Sequence, residues 1–236
     1  MEALSLKEKI LKLQGPIFIF GASGFIGANL LNSILQLRTD CYAISHNPRS
    51  AWRLKLLKIP NEKIIHCDIN YPKSIATIFK KYQPKTIFNL SAYGAYSKQN
   101  NVNLIFETNV IGTLNILENC KDIAAYIHAG SSSEYGLNSS NPSEESKLIP
   151  NSHYSVSKIS TAYLLDFYSR FHQVPCLNLR LYSIYGPWEE PDRLMPKIIE
   201  KALNNSFPPL VNPETSRDFV YIDDCVEAFV NAAFYI

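Results

Sequence analysis

The sequence predicts a doubly wound α/β fold, a parallel sheet with helices on both faces, followed by a smaller C-terminal region. Three observations predict it. Short apolar runs of strand length alternate with helical patterns almost from end to end, and that alternation builds βαβ units. A glycine trio, Gly21, Gly24 and Gly27, closes the first apolar run and opens the first long helical pattern. Past Leu181 the texture changes, because Pro187, Pro191, Pro196, Pro208, Pro209 and Pro213 break the chain into shorter pieces.

The elements follow in order. Met1–Gln14 alternates Leu and Ile with Lys and Glu and reads as a short amphipathic helix. Strands are predicted at Ile17–Phe20, Cys41–Ser45, Lys63–Cys67, Thr86–Leu90, Ala124–Gly130 and Val174–Leu181. Between them, apolar residues at helical spacing mark Phe25–Leu37, Ser50–Leu57, Pro72–Tyr82, Asn103–Cys120 and Tyr154–Phe171. Residues 1–181 thus form the expected nucleotide-binding unit, with residues 1–14 its N-terminal helix. The rest, 182–236, reads as a loop, a helix over Arg193–Leu203, short strands near Pro209–Val211 and Asp218–Tyr221, and a closing helix from Asp223. It is expected to interleave with the first unit as part of a substrate-covering region.

Composition narrows the function classes. The 236 residues are 46% hydrophobic and carry a net charge of +2 from 23 basic and 21 acidic side chains. No basic run supplies an electrostatic footprint for nucleic acid, and no stretch reaches the ~20 apolar residues that span a bilayer. The N-terminus lacks a signal-peptide core, so a cytoplasmic protein is expected. Cys41, Cys67, Cys120, Cys176 and Cys225 are scattered and never in CxxC spacing, which suits reduced core thiols. The five histidines show no metal-ligand spacing either, and no metal is expected.

Three motifs carry chemistry. Gly21-Ala22-Ser23-Gly24-Phe25-Ile26-Gly27 follows a strand and opens a helix. There the glycines admit a pyrophosphate close to the backbone, and the amides at the helix N-terminus stabilise its charge. Tyr154-Ser155-Val156-Ser157-Lys158 places a phenol and an ammonium one helical turn apart. A neighbouring cation favours phenolate and lowers a tyrosine pKa from about 10 toward neutrality, which would make Tyr154 a general base. Finally, Gly130-Ser131-Ser132-Ser133-Glu134-Tyr135-Gly136 puts hydroxyls at the carboxyl end of the fifth strand, where open α/β sheets bind ligands.

In this order the motifs resemble the extended short-chain dehydrogenase/reductase family, in its nucleotide-sugar epimerase/dehydratase branch. Further matches are Asp68-Ile69, Asn89-Leu90-Ser91-Ala92, Thr108-Asn109-Val110, the segment Arg180–Pro187 and the segment Arg217–Asp224. The resemblance implies a Rossmann fold and a redox cycle at a sugar carbon, usually C4, on a nucleotide-diphosphate sugar. It makes Ser131, Tyr154 and Lys158 catalytic, with Ser131 and Ser132 at the reacting oxygen and Lys158 on the nicotinamide ribose. It assigns Gly21, Gly24, Phe25, Ile26, Gly27, Asp68, Ile69, Leu90 and Ala92 to the cofactor, and Ser183 and Arg217 to the substrate. Asn109 is structural in this scheme. A homodimer is implied, with the segments Asn103–Cys120 and Tyr154–Phe171 packing as a four-helix bundle. Family members also continue beyond the Arg-Asp-Phe segment, so the substrate region reads as incomplete.

Departures from the family pattern shape the expectations. Dehydratases carry acids just after the catalytic Ser or Thr; here those positions are Ser132 and Ser133, and Glu134 comes one residue late. In an extended segment that shift turns Glu134 to the other side, against a dehydratase step. NAD-specific members end the second strand with an acid, whereas this one ends Ser45-His46-Asn47, with Arg49 and Arg53 behind. Ser45 and Arg49 suit the 2′-phosphate of NADP, while the family habit of epimerases is NAD; both cofactors stay open. The leading reading is an epimerase, with an NADPH-dependent 4-keto-6-deoxysugar reductase as its rival and a 4,6-dehydratase or a non-catalytic NAD(P)-binding protein behind both.

Overall fold

The computed structural model describes residues 4–208 and 216–236. Six strands form the main sheet: β1 (Ile17–Phe20), β2 (Cys41–Ser45), β3 (Ile64–His66), β4 (Thr86–Asn89), β5 (Ala125–Ser131) and β6 (Cys176–Leu181). Every pairing is parallel, in the order β3-β2-β1-β4-β5-β6. The chain builds outward from β1 in one direction, then restarts at β4 and builds in the other. That reversal opens a crevice at the carboxyl ends of β1 and β4.

Side-chain alternation divides the core into two layers. Ile17 and Ile19 of β1 face one side with Ala43, Phe88 and Ile127, against α1 (Leu6–Lys12), α2 (Phe25–Leu35) and α9 (Ile222–Tyr235). Phe18 and Phe20 face the other with Ile44, Ile87 and Tyr126, against α4 (Pro72–Tyr82), α6 (Gly112–Leu117) and α7 (His153–His172). All four β1 side chains are buried, as a central parallel strand covered on both faces requires. The closing helix α9 therefore belongs to the first layer, contributing Cys225, Val226, Phe229 and Val230.

Several predicted boundaries shift for identifiable reasons. The N-terminal helix is confined to α1, which Ser5 and Glu8 close with a reciprocal capping box. The expected helix over Ser50–Leu57 is a tight turn at Pro48–Ser50 followed by α3 (Trp52–Leu56). Asn103–Cys120 is not one continuous α-helix. It runs as α5 (Val102–Phe106), a wide π-turn at Glu107–Ile111, and α6. Asn109 lies in that widened turn, bonding the Tyr93 amide at 2.8 Å, the Tyr93 carbonyl at 2.9 Å and Ser157 at 2.9 Å. The widening keeps the loop after β4 tied to α7.

The segment read as a loop after Leu181 holds a strand, β7 (Ser183–Tyr185), paired in parallel with β8 (Phe219–Tyr221). Ser183–Tyr185 runs directly into Gly186-Pro187, a turn signal that masks so short a strand. Between them runs α8 (Leu194–Leu203). The strand expected near Pro209–Val211 lies outside the described residues.

Gly21 is the tightest point of the sheet's switch. Its φ is +73°, and a Cβ there would sit 2.6 Å from the Leu90 carbonyl carbon. Gly21→Ala is expected to destabilise the fold by about 2 kcal/mol or more, through strain and displacement of the end of β4. Urea unfolding of the two proteins measures it.

Candidate active site

The phosphate loop owes its shape to its glycines. Gly24 caps α2 without a side chain, and a Cβ on Gly27 would lie 2.4 Å from the Gly21 carbonyl oxygen. The loop therefore folds tightly against the first turn of α2, with the Gly24 amide bonding the Gly21 carbonyl at 2.9 Å. Such a cradle fits the pyrophosphate of a dinucleotide.

From this loop a cleft of about 1870 Å³ runs across the carboxyl ends of β1, β4, β5 and β6. It brings together Gly21, Gly24, Phe25, Ile26, Gly27, Leu90 and Ala92 at one end. Ser131, Ser132, Tyr154 and Lys158 line its middle, with Ser183 and Arg217 beyond. Four residues singled out from the sequence lie off that lining. The Ser45 hydroxyl is buried at the end of β2, 3.4 Å from Ser23 Oγ. Arg49 is exposed on the turn that follows. Asp68 accepts the Asn70 amide at 2.9 Å, and Ile69 is buried against Gly112.

The reactive groups come from two elements. Ser131 ends β5, and Tyr154 and Lys158 stand on the first turns of α7, which Ser152 caps. Lys158 is buried and donates to the Ala129 carbonyl of β5 at 2.8 Å. Its ammonium lies 5.9 Å from the Tyr154 ring centroid. Burial lowers the Lys158 pKa to about 8, with Glu134 pulling back upward.

The expected lowering of the tyrosine pKa does not hold in this state. Burial pushes the Tyr154 phenol up to about 12; Ser131 pulls it down, and Glu134 pushes with burial. Desolvation of a phenolate outweighs a lysine whose ammonium is directed at a backbone carbonyl.

Glu134 also departs from expectation. Ser132–Glu134 forms a 3₁₀ turn, not an extended segment, and the Glu134 carboxylate folds back to accept the Ser131 amide at 2.9 Å. Arg180 donates to the same carboxylate at 2.9 Å and Asn178 at 3.1 Å. Glu134 is fully buried and committed to holding Ser131 in place. The S-x-x-E spacing of a capping box was the signal for this role.

Arg53, read as a companion of Arg49, is likewise committed. It is buried and donates to the Trp188 carbonyl at 2.7 Å, to the Ser23 carbonyl at 3.4 Å and to Glu190 at 3.0 Å. The guanidinium thus ties the phosphate loop to the segment after β7. Asn29 of α2 adds a bond to the Pro187 carbonyl at 3.3 Å.

Comparison with known proteins decides the family. The sequence model of the NAD dependent epimerase/dehydratase family matches residues 17–234. The chain belongs to this family. Protein CapI of Staphylococcus aureus is 32% identical over 228 residues, 90% of this chain and 67% of that protein. A dTDP-glucose 4,6-dehydratase of Haemophilus influenzae is 28% identical, covering 90% of this chain and 69% of that one. Among solved structures, UDP-Glucuronic acid 4-epimerase from Bacillus cereus, in complex with UDP-Glucuronic acid and NAD, superposes with a TM-score of 0.75 at 27% identity. That match covers 89% of this chain and 70% of the other. The chain therefore spans about two thirds of the length of these relatives. Membership makes it an NAD(P)-dependent extended short-chain dehydrogenase/reductase with a Rossmann fold. Among the described residues no helix is long and apolar enough to cross a membrane.

The lowered Lys158 pKa has a consequence for stability. Between about pH 8 and the ordinary lysine value of 10.5, the unfolded chain holds a proton at this position that the folded chain has released. Its contribution to unfolding free energy therefore rises with pH across that window. Lys158→Met should lack this component, so the difference between wild type and variant should change by a few kcal/mol from pH 8 to 10. Urea titrations at stepped pH measure it.

Proposed function

We propose that this chain is the core of a nucleotide-sugar epimerase that oxidises and re-reduces one sugar carbon, C4, through a transient ketone. What supports the reading above all is the convergence of Ser131, Tyr154 and Lys158 in one cleft between the glycine loop and Arg217. The comparisons support nucleotide sugars as the substrate class, since epimerases and dehydratases of such sugars recur among the relatives.

The glycine loop and the N-terminus of α2 would hold the cofactor pyrophosphate, Leu90 and Ala92 its channel, and Lys158 its ribose. Bound nicotinamide supplies the hydride acceptor. Tyr154 takes the proton of the sugar hydroxyl as the ketone forms and returns it as the ketone is reduced. Ser131, fixed through its amide by Glu134, bonds the reacting oxygen with Ser132 beside it. Arg217, exposed at the far end of the cleft, suits bidentate contact with the diphosphate. Glu134, the acid whose charge bears on Tyr154, is held by Ser131, Asn178 and Arg180, which counts against its serving as the acid of a dehydration step.

One observation favours a second reading, an NADPH-dependent 4-keto-6-deoxysugar reductase. The end of β2 presents the Ser45 hydroxyl in place of an acid, with Arg49 exposed just beyond. With Arg53 paired to Glu190, Arg49 alone is left to meet a 2′-phosphate among the residues of this turn. Denaturing freshly purified protein and identifying the released nucleotide separates the two. Retained NAD, and turnover without net cofactor consumption, is the epimerase outcome. NADPH oxidised in equal amount to product is the reductase outcome. In either case Tyr154→Phe should cost about 10²–10⁴ in kcat, while the cofactor dissociation constant stays within about twofold.

The apolar stripe on α7 supports a homodimer as part of this proposal. Val156, Tyr163, Phe167 and Phe171 are exposed along it, as are Val102, Leu104 and Ile111 on the neighbouring helical segment. Light scattering should give a dimer for the wild type, and Phe167→Glu should shift it to monomer. A monomeric wild type sinks the dimer.

A further inference from the structure

A nucleotide-sugar substrate leaves the sugar itself open, and one wall of the cleft bears on it. Glu189 follows β7 in the segment that Arg53 anchors, and it lines both the main cleft and a side pocket of about 200 Å³. Ser183, Ile184, Arg193 and Arg217 are shared by the two cavities as well, so Glu189 stands at their junction. Its side chain is only 6% exposed. Oε1 accepts from Arg193 Nε at 3.4 Å, a long bond to a side chain that is itself 44% exposed and whose guanidinium lies 5.6 Å from the Tyr96 ring centroid. Among the described residues Oε2 is buried with no hydrogen-bond partner.

Folded proteins seldom leave a buried carboxylate oxygen unpaired, because the lost hydration is not replaced; a ligand site is one place where the partner comes later. Oε2 accepts and does not donate while the group is ionised. A substituent that completes it must bring an N–H or O–H. With Arg193 drawn to Oε1 and Arg217 given to the diphosphate in the reading above, a second carboxylate brought to Oε2 would face a like charge with its solvent removed.

We propose that Glu189 determines sugar specificity, its Oε2 accepting a hydrogen bond from a hydroxyl or amino substituent and its charge rejecting a uronate. This rests on the nucleotide-sugar reading above. It sets the chain apart from the Bacillus cereus relative, which was solved with UDP-Glucuronic acid.

The test compares two ligands that share their nucleotide. Protein loaded with whichever nicotinamide cofactor it retains is titrated calorimetrically with UDP-glucose, UDP-glucuronate and dTDP-glucose. UDP-glucose is expected to bind at least about tenfold more tightly than UDP-glucuronate. In Glu189→Gln, which keeps shape and removes charge, that ratio should fall to about threefold or less, chiefly by tighter UDP-glucuronate binding. The cofactor dissociation constant and melting temperature of the variant serve as the folding control. Equal or reversed affinities in the wild type, or an unchanged ratio in the variant, overturn the role of Glu189 and leave the nucleotide-sugar reading standing. If none of the three ligands binds the loaded protein, both fall together.

Discussion

The site depends on one close approach, that of Gly21 to the end of β4. With φ at +73° and no Cβ, Gly21 lets the Leu90–Ser91 backbone come within a distance that any side chain would forbid. Two consequences follow from that contact. The chain turns sharply enough to enter α2 along the crevice, and β4 stays in register with β1 up to Asn89. A cofactor cradle and a sheet switch point are thus the same piece of geometry.

On the other side of the crevice, β5 acts as the scaffold for the proposed proton chemistry. Its last residues supply the carbonyl that Lys158 bonds and the hydroxyl of Ser131, while α7 brings Tyr154 and Lys158 across. Burial is what makes these groups useful and also what sets their resting states. It holds the tyrosine protonated, with a pKa near 12, and brings the lysine down to about 8. The lysine is engaged by the Ala129 carbonyl rather than by the phenol.

The segment from Gly186 to Glu190 links these halves. Trp188 adopts a φ of +68°, a costly conformation for a bulky residue, and its carbonyl is held by buried Arg53. Arg53 also reaches the glycine loop and Glu190, so that loop and the wall that carries Glu189 share one anchor.

The sequence by itself determined the layered fold and most of the site. Apolar strands such as Ile17–Phe20 can be satisfied only by burial on both faces, and glycines spaced by three after a strand leave few other uses. The spacing of Tyr154 and Lys158 likewise fixed their shared helical face. Tertiary structure decided what spacing cannot reach, namely where charges find their partners. Glu134 looked displaced by one residue, yet a 3₁₀ turn folds its carboxylate onto Ser131, and Arg180 from the next strand holds it there. Arg53 looked like a candidate for a phosphate and is instead paired with Glu190, far along the chain. Strand β7 escaped notice because it abuts Gly186-Pro187, and only its pairing with β8 marks it as a strand. Local pattern encodes which face of an element is apolar; desolvation and ion pairing depend on neighbours that only the folded chain brings together.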